Sequence, residues 1–145
     1  VVRDILEINA VSPVLFAEAF ARRFAAANHG TIAIIGSVAG DRGRAVNYIY
    51  GSAKGLLARY AEGLDHRLAG TKVKVVLVKP GPTDTPMAAH HKARGRRLAT
   101  ARSVAEVTVR AIEKGQAVVY APFIWWPIMT ILRHVPRMIF NRLRI

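Results

Sequence analysis

Tyr50 and Lys54 stand four residues apart in the segment YGSAK, a spacing that puts two side chains on one face of a helix, one turn apart. A free phenol titrates near pH ~10 and is a poor acid or base at neutrality. An ammonium one turn away favours the phenolate and is expected to lower that value. Tyr50 then becomes a group that can give a proton to a carbonyl oxygen or take one from an alcohol. Ser37 lies thirteen residues upstream, directly after a short apolar run, and its hydroxyl is suited to holding the oxygen of a substrate. A tyrosine and a lysine on one helix face more often mark a solvated surface. The pair acquires chemical meaning only if the surrounding elements bring it beside Ser37.

Those elements follow from hydrophobic spacing. Residues 4–27 carry Ile5, Ile8, Val11, Leu15, Ala19 and Phe20 at a helical period, and Asn28, His29 and Gly30 stop the run, with Gly30 the expected left-handed cap. TIAIIG (31–36) is a β-branched apolar run expected to be a buried strand, and SVAGDRGRAVN (37–47) reads as a loop. A second helix is expected over 48–69, ending near Gly70, and a second strand over KVKVVLV (72–78). PGPTDTP (80–86) can be neither helix nor central strand, because its three prolines remove backbone donors. HHKARGRR (90–97) reads as a basic loop or short helix. Ser103 and Glu106 have the spacing of a capping box, opening a helix that runs to Lys114 and stops at Gly115, and AVVYAP (117–122) is a third strand. Helices alternating with strands imply a parallel sheet with crossover helices. In such a sheet ligands gather at the carboxyl ends of the strands. Ser37 and the first turn of the next helix meet there.

Composition bounds the rest. The 145 residues suit one domain, and 52% hydrophobic content suffices for a packed core. With no cysteine, disulfides and thiolate metal sites are excluded, and no metal site is expected, His90 and His91 lacking acidic or cysteine neighbours. Arg3, Asp4 and Glu7 interrupt the opening residues, so no signal peptide is read there. The net charge of +13 favours an anionic partner: phosphate, nucleic acid or an acidic membrane. Nucleic acid ranks last, since no basic–aromatic stacking platform accompanies the charge.

IGSVAG (35–40), YGSAK (50–54) and PGPTDTPM (80–87), taken with INAVSP (8–13), resemble the pattern of the short-chain dehydrogenase/reductase family. The resemblance covers nearly all of residues 1–121. It implies the C-terminal half of a Rossmann-type doubly wound parallel sheet, with three strands and flanking helices. It further implies that Tyr50 is the acid/base, that Lys54 lowers its pKa and holds the nicotinamide ribose, and that Ser37 orients the carbonyl or alcohol. Asn9 would keep a water in the proton relay, although an asparagine inside a helix can equally bond nearby backbone. Pro80 and Gly81 would line the nicotinamide. Thr83 and Thr85 would contact its carboxamide and the phosphates, or serve only as turn formers. The implied cofactor is NAD(P), with NAD(H) and NADP(H) not distinguished. The implied assembly is a homodimer or tetramer through the helices at 4–27 and 48–69. The family's Gly-rich nucleotide-binding turn has no counterpart here. Val1 opens what reads as the middle of a buried helix, so the chain is expected to be a fragment, inactive by itself.

Residues 122–145 form a distinct tail. Pro122 and Pro127 split its apolar run, which is too short and broken to span a bilayer. Beyond Pro127, Ile128, Ile131, Leu132, Val135, Met138, Ile139 and Leu143 recur at helical spacing with Arg133, Arg137 and Arg144 at the opposite edge. Such a basic amphipathic helix, preceded by Trp125 and Trp126, fits an anionic membrane interface, or else packs on its own domain or a sister subunit. The tail sequence is similar to the C-terminus of decaprenylphosphoryl-2-keto-ribose reductases. That likeness implies a polyprenyl-phosphate-linked keto sugar as substrate; the expected location is the cytoplasm, either free or peripheral at the inner face of the plasma membrane. The competing expectation is an inactive remnant acting as a membrane-associated or interaction module.

Overall fold

The computed structural model describes residues 1–88, 95 and 97–143. Three parallel strands form its sheet in the order β1–β2–β5: β1 is Gly30–Ile35, β2 is Val73–Pro80 and β5 is Val118–Ala121. A two-stranded pair, β3 (Thr83–Asp84) with β4 (Ala99–Thr100), follows the end of β2. The expected half-Rossmann α/β architecture is therefore what the chain adopts. Most of the basic stretch 90–97 lies outside the described residues.

Side-chain alternation along β2 builds two cores. Val73, Val75 and Leu77 face α2 (Ser12–Ala27) and α3 (Tyr48–Leu68), joining Ile32, Ile34, Leu57 and Leu64. Val76 and Val78 face the other way, against Ala111 of α4 (Ala101–Lys114) and Val119 of β5. Helices thus cover both faces of the sheet, as a buried parallel sheet requires. Glu18 ties α2 to α3 by accepting from Tyr60 Oη at 2.9 Å and Arg67 Nη1 at 3.0 Å. Partial burial and the neighbouring Glu18 push the Tyr60 phenol up to about 12.

Several boundaries differ from the sequence reading. The first helix begins at Val2 as α1 (Val2–Leu6) and reaches α2 through a π turn, Glu7–Val11. Pro13 supplies the reason, since it has no N–H for the carbonyl of Asn9, four residues earlier, and its ring crowds that carbonyl. The left-handed cap of α2 is Asn28, with φ 55°, not Gly30. Asparagine is among the few residues that tolerate this conformation, and here its Oδ1 is held by the distant Lys72 amide, which donates to it at 3.0 Å. Gly30 instead opens β1 with φ 130°, where a β-carbon would press on the Phe24 ring. Ser103 does not cap α4. Thr100 does, its hydroxyl accepting from the Ser103 amide at 3.1 Å, while Glu106 pairs with Arg102. Gly115 ends α4 in the left-handed conformation as expected.

The tail is not one amphipathic helix. α5 (Trp125–His134) already contains Pro127 in its first turn, where a missing N–H costs no helical bond. The break falls at Val135–Pro136, followed by the single turn α6 (Arg137–Phe140). Met129 is fully buried between Val38 and Tyr120, with Trp125, Ile128 and Leu132 beside it, so one face of α5 packs on its own domain. Among the described residues no helix is long and apolar enough to cross a membrane.

Candidate active site

Ser37 stands two residues beyond β1, where the Gly36 amide still donates to Val78 O of β2 at 2.8 Å. Its extended backbone and its hydroxyl, which accepts from the Ala39 amide at 3.1 Å, turn the chain into a single 3₁₀ turn, Val38–Gly40. That turn lies against the start of α3, and two glycines permit the approach. A β-carbon at Gly51 would sit 2.8 Å from Ala39 O, and one at Gly40 would sit 2.6 Å from the carbonyl carbon of Lys54. Replacing Gly40 with Ala is expected to force loop and helix apart and to cost about 1–3 kcal/mol, as overpacking does. A urea midpoint that does not move in that variant would show that the two are not in contact.

The close approach brings the Ser37 hydroxyl near enough to the Tyr50 phenol to influence its titration. Lys54 is one turn further along the same face, its Nζ 5.7 Å from the centroid of the Tyr50 ring. The three side chains share one environment. The electrostatics differ from expectation: burial raises the Tyr50 phenol above its ordinary value, and the nearby Ser37 hydroxyl opposes this only in part. Lys54 does not lower it, because its ammonium is directed at Ile35 O, 3.1 Å away, and is itself pushed down by burial. An ammonium held at a strand carbonyl across the ring face is poorly placed to stabilise charge on Oη.

The remaining residues divide. Asn9 lies in the π turn, which packs against α3, and its side-chain amide donates to Ile5 O at 3.0 Å. Pro80 ends β2, and Gly81 follows at the same end of the sheet as Ser37, its amide donating to Ala121 O at 3.0 Å. Thr83 Oγ1 donates to Gly81 O at 2.9 Å and Thr85 Oγ1 to Thr83 O at 3.4 Å, so both hydroxyls serve the local turn. His90 and His91 lie outside the described residues.

Residues that sequence reasoning passed over stand directly behind Ser37. Asp41 closes its loop and is nearly inaccessible, with 3% of its side chain exposed. Its Oδ1 pairs with Lys79 Nζ at 2.5 Å and its Oδ2 accepts from Tyr120 Oη at 2.7 Å. Burial first, then that bond to Asp41, raises the Tyr120 phenol. One signal was present in the sequence. Lys79 falls on the same face of β2 as Val75 and Leu77, and a charge on a buried face demands a partner.

A nicotinamide fits part of this site. Lys54 uses one of its three donors on Ile35 O, which leaves donors for ribose hydroxyls, whereas the space beside Gly81 at the strand end is filled by the Trp125 indole. For the diphosphate, these 145 residues contain no G-x-G-x-x-G turn between a strand and a helix.

Comparison with known proteins is consistent with this geometry. The family model described as short chain dehydrogenase matches residues 1–95. An uncharacterized oxidoreductase of Mycobacterium tuberculosis is 34% identical over 126 residues, covering 81% of this chain and 47% of that protein. One from Streptomyces coelicolor is 36% identical over 115 residues, covering 79% and 45%. The chain therefore spans about half the length of the curated relatives it matches. Among solved structures, a short chain dehydrogenase from Burkholderia cenocepacia in complex with NADP superposes with a TM-score of 0.84 at 24% identity, over 99% of this chain and 59% of that one. A short-chain dehydrogenase from Sphingobium yanoikuyae in complex with NADPH gives 0.74 at 21% identity, over 94% and 54%. At these identities the likeness is one of fold.

Proposed function

Because the chain belongs to the short-chain dehydrogenase family, we propose that it supplies the proton-transfer half of an NAD(P)-dependent oxidoreductase acting on a carbonyl or alcohol. The observation that carries this reading is the convergence of Ser37, Tyr50 and Lys54 at the carboxyl end of β1. In this reading Ser37 holds the substrate oxygen, Tyr50 gives or takes its proton, and Lys54 fixes the ribose. The bound nicotinamide supplies the hydride. Asn9, in its π turn against α3, completes the relay. Pro80 and Gly81 line the cofactor, with Thr83 and Thr85 shaping the turn beneath it. The raised phenol suits Tyr50 to remain protonated, as a carbonyl reduction requires. Replacement of Tyr50 by Phe in the full-length protein tests the proposal, and sustained turnover would overturn it.

A second reading concerns the tail. Phe123, Ile124, Ile131, Met138 and Ile139 are exposed, and the rings of Phe123 and Trp126 stack 5.7 Å apart. Arg133, Arg137 and Arg142 accompany them, and no acidic residue follows Glu113. We propose that this face rests on an anionic membrane and admits a lipid-linked substrate, a polyprenyl-phosphate keto sugar being the fitting class. Exposed Ile8 of the π turn, Leu15 of α2 and Leu56 of α3 support self-association through these elements in the same assembly. The full-length protein should co-sediment with phosphatidylglycerol vesicles and release with salt. Neutralising the three arginines together should weaken binding roughly a hundredfold, at about 1 kcal/mol per basic residue. Equal sedimentation with neutral phosphatidylcholine vesicles, or none with either, would reject the membrane.

A further inference from the structure

We propose that the C-terminal tail is a positioning element of the active site, clamping the Ser37 loop through Arg42 and the Gly81 turn through Trp125. The inference rests on the reading of Ser37 and Tyr50 given above. Arg42 follows Asp41 in the Ser37 loop, and its guanidinium forks onto the end of α5. Nη1 donates to Arg133 O at 2.8 Å and Nη2 to Val135 O at 3.0 Å. The planar guanidinium also lies 4.2 Å from the centroid of the Phe140 ring in α6. Both carbonyls lie at the C-terminal end of α5, where the helix runs out of backbone donors, so the arginine completes the helix end while anchoring its own loop.

Two further contacts act in the same direction. Tyr120, which holds Asp41, is packed with Val38 of the loop and Met129 of α5. At the other catalytic turn the Trp125 indole occupies the space where a Gly81 side chain would begin. The tail therefore touches the segment carrying the substrate-holding hydroxyl and the turn that faces the nicotinamide. It sets how Ser37 sits relative to Tyr50 without entering the chemistry.

The clamp is tested in the full-length protein with Arg42→Ala, Arg42→Lys, a truncation that ends at Leu132 and so removes both acceptor carbonyls, and the truncation combined with Arg42→Ala. Arg102→Ala, on the exposed outer face of α4, is the control. Native-state hydrogen exchange is read at the amides of residues 39–41, with the Leu77 amide of β2 as an internal gauge of global unfolding. Arg42→Ala should speed exchange at 39–41 by roughly tenfold to a hundredfold, the range for losing hydrogen bonds to a charged donor, with no change at Leu77. Arg42→Lys, which keeps the cation but not the fork, should fall between. Truncation should have a similar effect, and the combination should add little to either. Turnover should fall by about ten- to a hundredfold, as misplaced groups do, while nicotinamide binding holds. Unchanged exchange at 39–41, additive effects, or unchanged turnover despite faster exchange would each overturn the clamp. If the wild type itself lacks turnover, the catalytic reading fails, and the exchange measurements alone still accept or reject the clamp.

Discussion

Tyr50→Phe in the full-length protein is expected to lower turnover by roughly 10²–10⁴-fold, the usual contribution of a positioned acid or base, while nicotinamide binding persists. The substitution removes one oxygen and keeps the ring, so the half-buried packing of the first turn of α3 survives. What disappears is the hydroxyl that titrates beside Ser37. In the alcohol-oxidising direction the wild-type rate should climb with pH, because the phenolate is the base and burial holds its formation above the ordinary range. That climb should vanish in the variant. Steady-state rates with each nicotinamide, beside cofactor titrations, separate the two effects. A variant that still turns over at the wild-type rate would remove Tyr50 from the chemistry.

The second large effect concerns stability. Asp41→Ala should destabilise the fold by about 3–5 kcal/mol, the cost of leaving one member of a buried ion pair alone. Lys79 would lose its carboxylate while 9% exposed, and the Tyr120 hydroxyl would lose its acceptor. Asp41→Asn keeps an acceptor for Tyr120 and should cost less. Replacing both charges, Asp41→Leu with Lys79→Met, should recover much of the loss, because well-packed apolar pairs often match buried ionic ones. Urea unfolding of the three variants measures the series. A loss under about 0.5 kcal/mol for Asp41→Ala, as at an open surface, would show that the pair is hydrated rather than buried.

How far the sequence foretold this arrangement differs by element. TIAIIG and KVKVVLV announced their strands because β-branched runs between turn residues have few alternatives, and Gly115 marked its helix end by the backbone freedom that position needs. The four-residue spacing of Tyr50 and Lys54 carried directly into shared geometry, since helical periodicity is local. The direction of the Tyr50 shift did not, because it depends on which oxygen the Lys54 ammonium faces, and Ile35 O lies nineteen residues away. The partnership of Asp41, Lys79 and Tyr120 was equally hidden, as its members are 38 and 79 residues apart along the chain. At Asn28, a side-chain bond to the distant Lys72 amide settled a choice that local glycine preference had placed at Gly30. Pro127 and Pro136 illustrate the same limit, since only the position of the helix start decides which of two prolines is tolerated and which one breaks.

Both indoles in these 145 residues occur side by side at the start of α5, Trp125 against Gly81 and Trp126 about half exposed beside Phe123. Indole emission from this stretch of the protein thus originates at one spot, the hinge where the tail meets the turn after β2. Departure of α5 from the sheet would wet Trp125 and redden its spectrum, and a quencher in the solvent would report the same event by dimming it. The molecule carries its own unlabelled optical gauge of how tightly that seam is shut.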